Sequence, residues 1–341
     1  MSGAEAEADL SLIRSRRVAV VGDYRGYGHA HALGLRDCGV EVLVGLPAPD
    51  SGEDGSGKDS DGKDGDVAAA TDDGLPVLEP AKAAAAADVV VLLGPDDEVR
   101  QRFEADIAPN LANGDMLLFR SGVNAGFGLV GPPPGVDVAL VAPLAPADVV
   151  RKQFADGRGV PCLVAVEADA SGRAWPLTLS YARAVGGNGA GVIRTTFAEQ
   201  ARAALFGEQA VRLGGVPALV RAGFETLTGA GCAPEVAYIA CLHELRDAVD
   251  RMCRSGLAGL YGSVPEAAAY GGLTRGPRVL GDAVHDELRR LLTGIADGSF
   301  AREWTAEDAA GRPNLRDLAD RAAAHPLEQA GRRVRSLLPP T

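Results

Sequence analysis

The chain has 341 residues, 46% of them hydrophobic and 23% charged, enough for two domains with separate cores. Its net charge of −12 argues against nucleic acid or an anionic membrane as the main partner. Its five scattered cysteines form no CxxC pair, and no apolar run reaches spanning length, so the expectation is a reduced, soluble, cytoplasmic protein.

Residues 1–15 read as an acidic, Ala-rich arm. Val18-Ala-Val-Val21 is a short apolar strand that runs into Gly22-Asp-Tyr-Arg25-Gly26-Tyr-Gly28-His29 and then a helix to Arg36. Val40–Val44 gives a second strand. Strand, glycine turn, helix and strand predict a Rossmann-like dinucleotide-binding unit, in which tight glycines let a pyrophosphate approach a helix N-terminus. The expected cofactor-binding residues of the turn are Gly22, Arg25, Gly26, Gly28 and His29. Asp23 stands beside the expected phosphate, a repulsive placement unless Arg25 or a cation offsets it. His29 and His31 fit packing or phosphate contact better than catalysis.

The second strand leads to Pro47, Asp50 and Ser51 and then a Gly/Asp/Ser/Lys tract whose composition predicts a flexible loop over 48–66. Asp50 and Ser51 are placed to meet the adenosine ribose, Asp50 favouring NAD. Further β/α elements follow at Asp88–Leu93, Met116–Phe119 with Arg120-Ser121-Gly122 behind it, Val136–Ala142, Gly159–Val166 and Leu177–Ala184. The loops behind these strands should rim the cofactor site. Gly186–Gly191 reads as a turn rather than a phosphate loop. From Phe197 onward helices are expected to Leu338, broken at Gly214-Gly215, Gly229–Pro234 and Tyr261–Pro265. The division falls at 1–193, a dinucleotide-binding domain, and 194–341, a helical domain: an α/β plus all-α chain.

Two runs in the helical half carry the chemistry. Ala204-Leu-Phe-Gly-Glu208 and Ala240-Cys-Leu-His-Glu244 each place two residues four apart on one helical face, the spacing at which paired acids build an oxygen cage for Mg²⁺. Each run offers one glutamate and one alanine. His243, one turn from Ile239 on an apolar helix, reads as a hydrogen-bonded core residue, and His285 and His325 as solvated.

Leu205–Val211, Ala222–Leu227, Cys241–Leu245 and Gly256–Gly259 are similar to runs of the ketol-acid reductoisomerase family, and the resemblance extends from about Arg17 to the C-terminus. In that family the two helices read Asp-Leu-Phe-Gly-Glu and Glu-Cys-Leu-His-Glu. The resemblance implies a knotted helical C-terminal domain, a homodimer through it, an NAD(P) cofactor and a small-molecule substrate. It also implies that Ala204 and Ala240 replace two acids that handle a pair of Mg²⁺ ions. Glu208 and Glu244 would then be remnants of that site and no metal is expected. Pro47 stands where the family carries an Arg for the NADP 2′-phosphate, Ser121 where it has His, Leu144 Lys, and Pro265 the second Ser of its Tyr-Ser-Ile-Ser segment. The expected catalytic residues are Glu208, Glu244 and Ser121.

Three readings follow. The first is an NAD(P)-binding oxidoreductase without Mg-dependent alkyl migration, acting on a C=O, C=N or C=C bond of a small polar substrate in specialised metabolism. The second is a lyase or isomerase using the same cleft, with a nicotinamide-containing substrate. The third is a non-catalytic homologue that binds a nucleotide or a partner.

Overall fold

The structure, a computed structural model, describes residues 8–47, 60–186 and 191–337. The chain divides into two compact units, Met1–Ala201 and Arg202–Thr341.

The first unit is built on one sheet with strands β1 (Arg17–Gly22), β2 (Glu41–Gly45), β3 (Val77–Leu78), β4 (Val89–Leu93), β5 (Met116–Phe119), β6 (Asp137–Pro143), β7 (Cys162–Ala168) and β8 (Val192–Arg194). Their spatial order is β3-β2-β1-β4-β5-β6-β7-β8, with every neighbouring pair parallel except β6 and β7. The central strands are apolar without a break because both faces are covered, as in α/β folds generally. Along β1, Val18 and Val20 face one core while Ala19 and Val21 face the other, the two-residue alternation of a pleated strand. Each buried Val contributes roughly 1.5–3 kcal/mol.

Helices α1 (Leu10–Arg14), α2 (His29–Asp37), α3 (Ser60–Asp72), α4 (Pro80–Ala85), α5 (Asp96–Arg102), α6 (Val123–Gly126), α7 (Ala147–Ala155) and α8 (Ala174–Gly186) complete this unit. Among them α1, α2 and α8 pack together on one sheet face, around fully buried Ile13, Leu35 and Tyr181.

One expectation is corrected here. The acidic tract, expected as loop over 48–66, is helical from Ser60, because α3 ends in the apolar run Val67-Ala-Ala-Ala70 and buries Ala70 in the core. Once that end is docked, adding residues to the helix costs little. Residues 48–59, with Asp50 and Ser51, and 187–190 of the glycine cluster lie outside the described residues.

The second unit is helical, comprising the end of α9 (Phe197–Phe206), then α10 (Gly215–Gly229), α11 (Pro234–Tyr238), α12 (Leu245–Gly262), α13 (Glu266–Val279), α14 (Asp282–Ala296), α15 (Ser299–Ala309), α16 (Pro313–Ala324) and α17 (Pro326–Arg335). The chain breaks near the three expected points, Gly214-Gly215, Gly229–Pro234 and Tyr261–Pro265, and also at 280–281, 297–298, 310–312 and His325, which the sequence reading did not mark. Its buried cluster is small: Phe224, Ala237, Tyr238, Ala330 and Val334. The helix α12 bends at Gly256, whose φ of +69° only glycine adopts readily. Among the described residues no helix is long and apolar enough to cross a membrane.

Candidate functional site

At the C-terminal end of β1 the chain must turn within van der Waals reach of β4. Gly22 does so with a φ of +113°, and a Cβ there would lie 2.0 Å from the Leu93 carbonyl oxygen. The next residues form one widened turn, Tyr24–Gly28, before α2 begins. Its closing bond runs from the Gly28 N–H to the Asp23 carbonyl five residues back, at 3.2 Å, one residue wider than a regular helical turn. A Cβ on Gly28 would lie 2.3 Å from that same carbonyl, so its glycine is required by the turn.

Asp23 folds back onto the turn it opens. Its carboxylate accepts the Gly26 N–H at 3.2 Å and braces the turn from within. Arg25 is not directed at Asp23. Its Nε donates to Asp66 of α3 at 2.8 Å, and Asp66 also accepts the backbone N–H groups of Tyr24 (3.1 Å) and Arg25 (3.2 Å). His29 lies 3.5 Å from Asp73 at the end of α3 and packs edge-on against Tyr24. The Tyr24 hydroxyl donates to Asp73 at 2.8 Å, and burial with that carboxylate raises its pKa, so it stays a donor.

Sequence reasoning missed Asp66 and Asp73. Asp66 contacts a backbone 42 residues away and closes a tract of low-complexity composition, so no local signal marks it.

Beyond the ends of β1, β2 and β4 lies a cleft of about 730 Å³, bounded by Gly22, Asp23, Leu46, Pro47 and Asp66 on one side. The opposite wall is Glu98, Gln101, Arg102, Ala105 and Asp106. Its position past the carboxyl ends of the strands, and its size, suit one half of a dinucleotide. Its charge is four carboxylates against one guanidinium. The glycines at Gly22 and Gly28 are set by the backbone they pack on, Leu93 and Asp23, and they bring the turn's amides to the cleft where a helix N-terminus receives a pyrophosphate in folds of this kind.

Ser121 follows β5. Its Oγ accepts the Val123 N–H at 3.3 Å, while Gly122 N–H donates to Gln200 at 2.6 Å. Beside it the Arg120 guanidinium stacks 4.2 Å above the Tyr27 ring, and the Tyr27 hydroxyl donates to the Ala145 carbonyl at 2.9 Å. Leu144 is half exposed, and Pro265 caps the start of α13.

In the helical unit both motif runs pass through widened turns rather than regular helix. Glu208 lies in the turn Gly207–Arg212 and Glu244 follows the turn Ile239–His243. The marks are bonds from Leu213 N–H to the Glu208 carbonyl (2.8 Å) and from Glu244 N–H to the Ile239 carbonyl (3.1 Å). Glu208 is half exposed and pairs with Arg212 at 3.1 Å, whereas Glu244 and His243 are exposed. The core role expected of His243 is therefore corrected. His325, expected to be solvated, bonds Glu225 at 3.0 Å and caps α17. Among the described residues no three His, Cys, Asp or Glu side chains come together to hold a metal. Ala204 and Ala240 bring no oxygen donor to the two runs, so each supplies a single carboxylate, Glu208 or Glu244. All five thiols are free, and burial pushes the Cys162 thiol up to about 12, which leaves it unreactive.

An open, mostly parallel sheet with a glycine turn after its first strand, joined to an all-helical unit, defines a Rossmann-type dinucleotide-binding oxidoreductase. The pattern of the acetohydroxy acid isomeroreductase NADPH-binding domain matches residues 12–191, and that of the ketol-acid reductoisomerase C-terminal domain matches 197–340. A ketol-acid reductoisomerase (NADP(+)) of Saccharopolyspora erythraea is 51% identical over 334 residues, 98% of this chain and 96% of its own. The enzyme of that name from Kineococcus radiotolerans is 47% identical over 97% of this chain and 93% of its own. Among solved structures, an NADH-preferring ketol-acid reductoisomerase from an uncultured archean matches at 35% identity with a TM-score of 0.87, covering 98% of both chains. A semialdehyde dehydrogenase NAD-binding protein from Cupriavidus necator, at 18% identity and a TM-score of 0.59 over 83% of this chain and 98% of its own, shares the fold alone. The chain belongs to the ketol-acid reductoisomerase family, whose members are NAD(P)-dependent oxidoreductases.

Proposed function

We propose that this member of the family has lost Mg-dependent alkyl migration and retains a nicotinamide dinucleotide for hydride transfer to a small polar substrate bearing C=O, C=N or C=C. The observation that carries this reading is the pair of alanines, Ala204 and Ala240, in the two motif runs. With no acid at either position, Glu208 is held by Arg212 rather than sharing a cation with a second acid. A divalent pair polarises a hydroxy-ketone for migration, and two isolated carboxylates, Glu208 half exposed and Glu244 exposed, do not supply that field.

In this reading Gly22, Arg25, Gly26, Gly28 and His29 form the dinucleotide-facing turn, with Asp50 and Ser51 beyond β2. A bound dinucleotide supplies the hydride, and Glu208, Glu244 and Ser121 position the substrate and deliver a proton. The carboxylate-rich cleft favours NAD over NADP, because a 2′-phosphate brought into it would add negative charge to a lining that already carries Asp23, Asp66, Glu98 and Asp106. The protein assembles as a homodimer through its helical unit, where large apolar side chains such as Leu257, Tyr270 and Leu273 are more than half exposed.

The test is turnover of acetolactate with Mg²⁺ and either NADH or NADPH. The wild type is expected to be inactive at rates usual for enzymes, and to bind NADH more tightly than NADPH by calorimetry. The double variant Ala204→Asp/Ala240→Glu is expected to gain Mg-dependent turnover. Ordinary wild-type turnover would overturn the loss of migration, and binding of neither dinucleotide would remove the hydride-transfer reading.

A further inference from the structure

The glycine turn of this chain already holds an anion, and the anion is its own. One oxygen of the Asp66 carboxylate accepts the Tyr24 N–H at 3.1 Å; the other accepts the Arg25 N–H at 3.2 Å and the Arg25 Nε at 2.8 Å. Successive backbone N–H groups converging on two oxygens of one anionic group form the nest that phosphates take. These donors lie between β1 and the N-terminus of α2, the segment whose amides and helix dipole receive a dinucleotide's diphosphate. The third amide of the turn, that of Gly26, is taken by Asp23. Asp66 is mostly buried, with 15% of its side chain exposed, and lines the same cleft as Gly22 and Asp23.

The contact is anchored twice. Asp73, just past the last residue of α3, accepts the Tyr24 hydroxyl at 2.8 Å and lies 3.5 Å from His29. Both ends of the α3 segment from Asp66 to Asp73 are thus fastened to the turn. A diphosphate and a carboxylate cannot share two amides, and two anions brought that close repel.

We propose that Asp66 is the affinity-determining residue for the dinucleotide: its carboxylate occupies the diphosphate-binding amides of Tyr24 and Arg25, so binding exchanges one anion for another and draws α3 off the turn. The proposal rests on the reading that this cleft binds a nicotinamide dinucleotide. It has two consequences. The dinucleotide binds more weakly than the turn alone would allow, and its arrival loosens α3 rather than ordering it.

The test compares full-length wild type with Asp66→Asn, which keeps the shape and removes the charge, and Asp66→Ala. NADH is titrated by calorimetry, with inorganic diphosphate as a second probe. Both variants are expected to bind NADH and diphosphate about ten-fold more tightly, the scale of one charge-assisted hydrogen bond. In wild type, hydrogen exchange across 60–73 is expected to speed up when NADH saturates the site, while the amides of Tyr24 and Arg25 stay protected. Unchanged or weaker binding in Asp66→Asn overturns the proposal, and so does slower exchange across 60–73 on NADH binding. If wild type and both variants all fail to bind NADH or NADPH, the dinucleotide reading itself falls and takes this proposal with it. Tight wild-type binding unaffected by either substitution removes the proposal alone.

Discussion

His31 is fully enclosed between the first helix of the dinucleotide-binding turn and α8, with its Nδ1 2.7 Å from the Tyr181 hydroxyl and Nε2 buried without a partner. Burial, with a smaller contribution from the Arg120 charge, pushes its pKa down to about 3. The unfolded chain binds a proton at this residue near the ordinary histidine value of about 6.5, whereas the folded chain resists it. The unfolded state therefore holds more protons between those values, and stability falls as pH drops from about 6.5 towards 3, by up to about 1.4 kcal/mol per pH unit. His31→Gln should flatten that dependence while keeping the bond to Tyr181. Urea midpoints measured between pH 4 and 7 decide it, and an unchanged slope in the variant defeats the assignment. At this scale the glycines were readable from the sequence: the turn needed Gly22, and a positive φ beside the Leu93 carbonyl is the reason. Asp23 was readable as present but not as a brace, because a side chain's choice of amide depends on how the turn closes.

At the scale of elements, regular periodicity located the strands and helices, but it predicted plain helix where Gly207–Arg212 and Ile239–His243 are widened turns. Such turns commonly mark functional positions, and both coincide with the motif runs that carry Glu208 and Glu244. The first is locked by the glycines that follow it: a Cβ on Gly214 would lie 1.9 Å from the Gln209 carbonyl oxygen, and one on Gly215 2.3 Å from that of Ala210. Gly214→Ala must break the Leu213-to-Glu208 bond or displace Gln209. We expect it to destabilise the helical unit by about 2 kcal/mol, seen as a lower urea midpoint followed by circular dichroism. A midpoint equal to wild type would show that the widened turn is not held by this glycine. Asp66 belongs to this scale as well, since the composition of 48–66 concealed a helix whose apolar end docks and carries the carboxylate to the turn.

For the whole molecule the contrast between the two units is the main physical fact. The first buries large clusters on both faces of its sheet, whereas the second has one buried cluster of five residues and leaves Leu257, Tyr270, Leu273, Val279, Leu280 and Leu318 more than half exposed. Apolar surface on that scale calls for a partner, which in the proposed homodimer is a second copy. Light scattering at micromolar concentration should give twice the monomer mass, and Leu257→Glu with Leu273→Glu should shift it to monomer with lower helicity. A wild-type monomer that keeps its helices would sink the dimer.

The sequence by itself determined the family, the β/α order, the glycine turn and the place of Ala204 and Ala240 in the two motif runs. Each of these is written in residues a few positions apart, where period and residue type act locally. Only the tertiary structure decided which anion the turn's amides hold, how the two motif helices widen and which apolar faces are left uncovered. Those outcomes depend on groups such as Asp66 and Tyr24 meeting across 42 residues, and nothing local in the sequence records that meeting.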